Sequence, residues 1–325
     1  MNPQRQKERV ALLSVTSNSI LVVMKLVIGL MIGSVSIISE AIHSGVDWLA
    51  AVIALFSVKT SSLPADARHP FGHGKIENIS GTIEALLIFV AAGWIIFEAV
   101  KKILNPEPIE AIGWGVGVMF VSAAANLVVS ERLFKVGRKT DSVALQADAW
   151  HLRTDVYTSA GVMSSLALIW VGSRVFPGLD LHWLDPAAAI GVALLIIKAA
   201  YDLTIQSARD LLDVNLPKDE MEWIRGRILE RKPLIHGFHR LRTRKSGHFR
   251  FVEFHLQVDP QMSVLNSHNI TEELSGLIER QYPDTSVTIH VEPCEGNCID
   301  HCLEGCLLSP EKRREVQLKN RAAGR

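Results

Sequence analysis

Residues 40–47 read Glu40-Ala41-Ile42-His43-Ser44-Gly45-Val46-Asp47, and residues 148–155 read Asp148-Ala149-Trp150-His151-Leu152-Arg153-Thr154-Asp155. Both are acid-Ala-x-His-x-x-x-Asp, and both lie inside apolar stretches long enough to span a bilayer. Residues four apart in a helix sit one above the other, so His43 with Asp47 and His151 with Asp155 each form a two-pronged arm. Two facing arms make a cage of two imidazole nitrogens and two carboxylate oxygens. An ionisable side chain at the bilayer centre costs about 2.5–3.5 kcal/mol even on insertion scales, and it usually marks an ion or proton path. A polar tie between two helices explains one arm alone, but the matched pair predicts a substrate site.

Outward from these motifs, apolar runs of about 20 residues predict six spanning helices, at 10–31, 35–58, 78–103, 111–136, 143–172 and 186–207. The first carries Asn18 and Lys25, and Lys25 is expected to snorkel or to pair within the bundle. Residues 111–130 hold no charge, whereas 209–256 are dense in Arg, Lys, Asp and Glu. The chain therefore divides into an N-terminal segment 1–9, a membrane part 10–208, a soluble part 209–293 and a tail 294–325. With 34 basic and 34 acidic residues in balance, no nucleic-acid partner is expected.

Basic residues flanking the spans set the orientation. Arg5, Lys7 and Arg9, then Lys59, Arg68 and Lys75, then Arg132, Lys135, Arg138 and Lys139 belong on one side. The Gly33-Ser34 connection carries no charge, and Arg174 is the lone basic residue between the fifth and sixth spans. Lys101 and Lys102 run against the trend, partly balanced by Glu107 and Glu110. Both termini then lie in the cytoplasm, and the two motif helices run antiparallel. Each histidine sits roughly 15 Å into its span, half of a ~30 Å hydrocarbon core. An inverted repeat with ions at the midplane is a recurring transporter design. The first span has no cleavage pattern and is expected to stay, and the short loops suit a bacterial inner (plasma) membrane.

Between the second and third spans, Pro64 to Glu77 contains two prolines and two glycines with Asp66, His69 and His73. The three side chains are either a metal site or part of a solvated polar loop. In the soluble part, helices at 217–231 and 262–281 with strands at 238–245, 249–258 and 285–292 predict an αββαβ domain, ferredoxin-like or metallochaperone-like. Strand alternation places Val252, Phe254, Leu256 and Val258 on the apolar face and His255 on the other, with His290 and Glu292 likewise together. His239, His255, His290 and Glu292 converge there, as metal ligands or as exposed polar positions. His268 falls on the second helix of that domain.

All four cysteines lie in the tail, at Cys294, Cys298, Cys302 and Cys306, so no disulfide framework runs through the body of the chain. A helix would align them as one stripe, drifting ~40° per step, although Gly296 and Gly305 weaken such a helix. Metal capture and an unstructured reduced tail are both compatible with this pattern. The charged residues 309–325 read as disordered.

The two His-x-x-x-Asp helices, the His69-Pro70-Phe71-Gly72-His73-Gly74-Lys75-Ile76-Glu77 loop and the histidine-bearing αββαβ domain together resemble the cation diffusion facilitator family of metal exporters. The resemblance covers residues 8–293 in order. It implies that His43, Asp47, His151 and Asp155 form the transport site and that Asp66, His69 and His73 form a loop site. It further implies that His239, His255, His268, His290 and Glu292 form a binuclear zinc site that holds a homodimer. Lys75 and Asp213 match the family's charge interlock. Glu292 stands where some relatives carry Asp, and the cysteine tail has no counterpart in the shared pattern.

Two nitrogens and two oxygens suit tetrahedral Zn2+ as cargo, with Fe2+, Co2+ and Cd2+ as near neighbours. Metal binding requires neutral imidazole and ionised carboxylate, so protons and metal compete for the same lone pairs and metal/proton antiport follows. An intramembrane metalloenzyme is the alternative from another class, and the absence of His-Glu-x-x-His counts against it. A membrane-tethered metal sensor is the third reading.

Overall fold

The computed structural model describes residues 3–32, 35–105, 114–175, 183–232, 234–296, 298 and 300–322. Gly33-Ser34, Glu107, Glu110 and the Arg174 side chain, used above to weigh charge, lie outside the described residues and side chains. The chain divides into two compact units, Met1–Leu211 and Leu212–Arg325.

The first unit holds α1 (Pro3–Ile32), α2 (Val35–Ser61), α3 (Lys75–Leu104), α4 (Trp114–Lys139), α5 (Val143–Val175) and α6 (Leu184–Leu211). By length and composition, α1, α2, α3, α4 and α6 each contain a stretch able to cross a membrane. The fifth helix is the longest at 33 residues, but its first half carries Asp148, His151, Arg153 and Asp155, which dilute its hydropathy. The most extensive helix pairings are α1 with α2, α3 with α6 and α4 with α5, while α2 and α3 each also pack on α5.

Small residues let these helices close up. Ala85, Ala92, Ala147 and Ala200 interleave with Ile88, Ile196 and Leu203 in one core cluster of α3, α5 and α6. A Cβ on Gly81 would come within 2.7 Å of Ser207 Oγ and 2.9 Å of Val143 Cγ1, so only glycine fits there. At the start of α3, the fully buried Glu77 gathers three other elements. It accepts from Lys7 Nζ at 3.1 Å, Ser61 Oγ at 2.9 Å and Ser142 Oγ at 2.6 Å.

The second unit runs α7 (Lys218–Leu229), β1 (Gly237–Ser246), β2 (Phe249–Val258), α8 (Val264–Gln281), β3 (Thr285–Pro293), α9 (Asp300–Glu304) and α10 (Pro310–Ala322). Ser263 caps α8 by accepting from Asn266 N at 3.1 Å, leaving an orphan amide satisfied. Ile270, Leu274 and Ile278, spaced at helical intervals, then pack with Val252, Phe254 and Leu256 of β2 and with Ile224 and Ile228 of α7. Strand order is β1-β2-β3, antiparallel between the first pair and parallel between the second, with α8 as the crossover.

The register places His239 opposite His255, and His255 opposite His290. Between His239 and Arg242 the β1 register shifts by a bulge, at which Arg240 takes a positive φ of 53°. The bulge returns Thr243 to the buried face, where its hydroxyl accepts from Leu216 N at 3.0 Å.

The tail departs from both sequence expectations. Residues 310–322 are helical, not disordered: Ser309 Oγ accepts from Lys312 N at 3.3 Å, and Glu315 pairs with Lys319 one turn on at 2.8 Å. The cysteines do not form a helical stripe either, because among the described residues between Cys294 and Cys306 only Asp300–Glu304 is helical.

Candidate metal centres

The arms on α2 and α5 meet, but in a crossed sense. His43 Nε2 lies 3.9 Å from Asp155 Oδ1, and His151 Nε2 lies 3.0 Å from Asp47 Oδ1. Ligand atoms of His43, Asp47 and Asp155 all fall within 4.8 Å of one another. His151 stands outside that mutual group and reaches it through Asp47. Asp47 and His151 are buried, whereas the His43 side chain is 53% exposed. The group borders a polar cavity of about 80 Å³, also lined by Asn18, Lys25, Ser44 and Asn126.

Around this group the structure adds residues that the motif does not contain. Asn126 Nδ2 on α4 donates to Asp155 Oδ2 at 3.2 Å, which orients the carboxylate. Its signal in the sequence is an amide set in a span without charge. Of the two expectations for Lys25, pairing within the bundle holds: it is buried and donates to Ser44 Oγ at 2.8 Å. His151 Nδ1 is buried with no hydrogen-bond partner among the described residues.

In the loop, Asp66, His69 and His73 also bring ligand atoms within 4.8 Å of one another. Asp66 organises the turn, its Oδ1 accepting from the His69 amide at 2.6 Å and the Arg68 amide at 2.8 Å. The His69 amide bond holds the Asp66 carboxyl below its usual range. Gly72 turns the chain at φ +80°, and the two imidazole rings of the loop lie with centroids 4.2 Å apart, tilted by 46°.

On the sheet, Glu292 is the centre. Its oxygens lie 2.6 Å from His255 Nδ1, 3.2 Å from His239 Nε2 and 3.7 Å from His290 Nε2. Desolvation pushes the Glu292 carboxyl up, but the His255 hydrogen bond and the charges of His255, His239 and His290 leave it below its usual range. His239, His255 and Glu292 have ligand atoms within 4.8 Å of one another, with the more exposed His290 at the edge. His268 does not join them: it lies exposed on α8. Nitrogen and oxygen donors at this spacing suit a borderline divalent ion in the loop and on the sheet alike.

Lys75 and Asp213 are placed by different units. In the first, Lys75 Nζ donates to Leu211 O at 3.5 Å, beside an Asn78 to Asp210 hydrogen bond of 3.0 Å. In the second, Asp213 takes φ 55° and pairs with Arg244 at 3.7 Å. The cysteines, none of them in a disulfide, line a cavity of about 320 Å³ at the end of the sheet, which His239 and Glu292 also line. Burial pushes the Cys294 and Cys302 thiols above the usual range.

Residues 11–212 match the family profile described as the cation efflux transmembrane domain, and residues 216–294 match the cytoplasmic domain of cation efflux proteins. The cation-efflux pump FieF of Yersinia pestis is 32% identical over 296 residues, which cover 90% of this chain and 96% of the relative. An uncharacterized transporter of Synechocystis, sll1263, is 34% identical over 263 residues, covering 81% and 83%. Among solved structures, the metal-bound C-terminal domain of the CzcD transporter from Thermotoga maritima is 32% identical with a TM-score of 0.23, covering 26% of this chain and all of that one. The cytosolic domain of a cation diffusion facilitator family protein is 34% identical with a TM-score of 0.22, covering 24% of this chain and 98% of that one. Members of this group carry ions across membranes and are not enzymes, so the metalloenzyme alternative falls away. Two profiles that together span the helical bundle and the αββαβ unit leave one assignment: this chain is a multi-pass membrane protein of the cation diffusion facilitator family, a cation efflux transporter.

Proposed function

We propose that this chain exports Zn2+ in exchange for protons, by alternating access, as a homodimer in the bacterial inner membrane with both termini in the cytoplasm. The observation that carries this reading is the meeting of His43, Asp47 and Asp155 at a polar cavity, with His151 bonded to Asp47 at 3.0 Å. Imidazole and carboxylate donors favour zinc over Mg2+ or Mn2+, which take more oxygens, and over Cu+, which takes sulfur. Fe2+, Co2+ and Cd2+ are the next candidates.

The crossed pair supplies the exchange. A proton on His151 Nε2 makes a charge-assisted bond to Asp47 Oδ1. A cation on Asp47 competes for the same oxygen, and His151 then gives up its proton to become a neutral donor. Unperturbed imidazole titrates near pH ~6.5, so the competition falls within reach of cellular pH. The histidine and glutamate cluster on the sheet and the loop triad are read as zinc-binding sites that stabilise the dimer or regulate it. Lys75 and Asp213 are read as the interlock that maintains it.

Zinc flux into proteoliposomes under an imposed pH gradient tests the reading. His43→Ala and Asp155→Ala are expected to abolish flux while the protein remains folded and dimeric. Flux at the wild-type rate in either variant, or zinc flux indifferent to the pH gradient, overturns it. Metal-driven structural change without any flux would instead favour the membrane-tethered sensor.

A further inference from the structure

The cysteine segment lies largely beyond the matched cytoplasmic profile, which ends at residue 294, and the transport reading makes no use of it. Its path is closely constrained. Cys294 N donates to Val258 O at 2.9 Å as the chain leaves β3, and Gly296 turns it at φ +75°. Cys298 Sγ then accepts from Gln317 Nε2 at 3.3 Å, and the short α9 carries Cys302, whose Sγ donates to Gln257 Oε1 at 3.4 Å. Gly305 O accepts from Phe238 N at 3.1 Å, and Cys306 bridges to Gly237.

This return is possible only between glycines. A Cβ on Gly305 would lie 1.6 Å from Phe238 O, and one on Gly237 would lie 2.9 Å from Gly305 O. The segment thus circles back onto β1, and all four cysteines line one chamber of about 320 Å³, their sulfurs spread around its wall with no three within 4.8 Å of one another. The chamber is half open to solvent, and its lining sets the thiols and polar groups beside apolar Leu308 and Val316. Arg313 of α10 faces the same chamber, with its Nε buried and making no hydrogen bond among the described residues.

We infer that this chamber is a thiolate site for a d10 cation, Zn2+ or Cd2+, separate from the histidine and glutamate cluster that it adjoins. Four thiolates are the donor set such ions take in closed tetrahedral sites, with zinc-sulfur bonds of about 2.3 Å. Each thiol loses its proton to water as its bond to the metal forms, and each has one side-chain rotor with which to turn inward. Four thiolates around a divalent ion leave a net double negative charge, half of which the Arg313 guanidinium offsets from the chamber wall. Cys302 exchanges its bond to Gln257 for the metal.

The inference does not rest on transport, and its test does not measure transport. The full chain, purified in detergent and kept reduced, is titrated with Cd2+ while the ultraviolet thiolate-to-cadmium charge-transfer band is followed. The chain has four cysteines, all in this chamber, so any such band reports on it alone. The band is expected to saturate at the amplitude of one thiolate-bound Cd2+ per chain, to vanish in a Cys298→Ser, Cys302→Ser, Cys306→Ser variant, and to persist in His255→Ala and in His43→Ala. Zn2+ is expected to slow iodoacetamide alkylation of the wild-type thiols by roughly tenfold or more, a readout that needs no variant. Cadmium binding without the band, or alkylation equally fast with and without Zn2+, overturns the inference.

Discussion

Asp47 on α2 and His151 on α5 are 104 positions apart in the chain and 3.0 Å apart in space, Oδ1 to Nε2. Each histidine faces the carboxylate of the other helix, so neither arm is a complete ligand pair. The site exists only while α2 and α5 hold one register, and a slide of one helix past the other separates both pairs together. That is the property an alternating carrier needs in order to change its grip on an ion.

Asp47→Asn keeps the shape and a hydrogen-bonding oxygen but removes the charge. Zinc affinity at the membrane site is expected to fall at least tenfold, about 1.4 kcal/mol, and the pH dependence of flux should become shallower. Proteoliposome flux measured across a pH series checks both, and an unchanged pH slope would remove Asp47 from the proton exchange.

The Glu77 network predicts a stability effect at a distance from any metal. Glu77→Ala removes the carboxylate that the buried Lys7 ammonium meets at 3.1 Å and is expected to cost about 3–5 kcal/mol, the usual consequence of removing one partner of a buried ion pair. The double replacement Lys7→Met with Glu77→Leu should recover most of the loss. Thermal denaturation of the detergent-solubilised protein reads both variants.

Gly305→Ala places a methyl group into the Phe238 carbonyl. The tail should detach from β1 while the αββαβ core keeps its fold, since among the described hydrophobic residues beyond Val291, Leu307 is the one that packs on that core. Limited trypsin digestion is the measurement. Cleavage at Lys312 and Arg313 should become at least several-fold faster in the variant, and an unaltered rate would show that the tail does not depend on this contact.

Burial holds the His236 imidazole below its usual value, with Lys312 adding to the effect and Asp259 opposing it. The unfolded chain therefore takes a proton more readily than the folded one. Stability from this group is fully present above the ordinary imidazole value, near ~6.5, and is lost as pH falls through it. His236→Gln should flatten that dependence. Pulsed hydrogen exchange at β2 amides in the full chain, corrected for intrinsic rates, distinguishes the two profiles.

Much of this was legible beforehand because periodicity reports burial directly. Strand β2 spans 249–258 as its alternation predicts, and α8, expected over 262–281, runs Val264–Gln281. The tail was not legible. Its sequence is charged enough to resemble a solvated segment, and its order comes from tertiary seating of Gly305 on Phe238 and of Gln317 on Gly296. The arms were legible as pairs four residues apart, but the crossing of partners and the support from Asn126 depend on the rotation of α4 and α5 about their axes. Spacing within one helix carries no information about that.

The bulge in β1 sets a tolerance of a different kind. With His239 anchored to Glu292 on one face and Thr243 anchored to Leu216 on the other, the strand between them has a fixed contour length. Side-chain replacements at Arg240 or Leu241 leave that length alone. Removing or adding a single residue there inverts the pleat for everything on one side of it, so either the imidazole is turned away or a hydroxyl is stranded in the core. Indels, more than substitutions, are the lesions this strand cannot absorb.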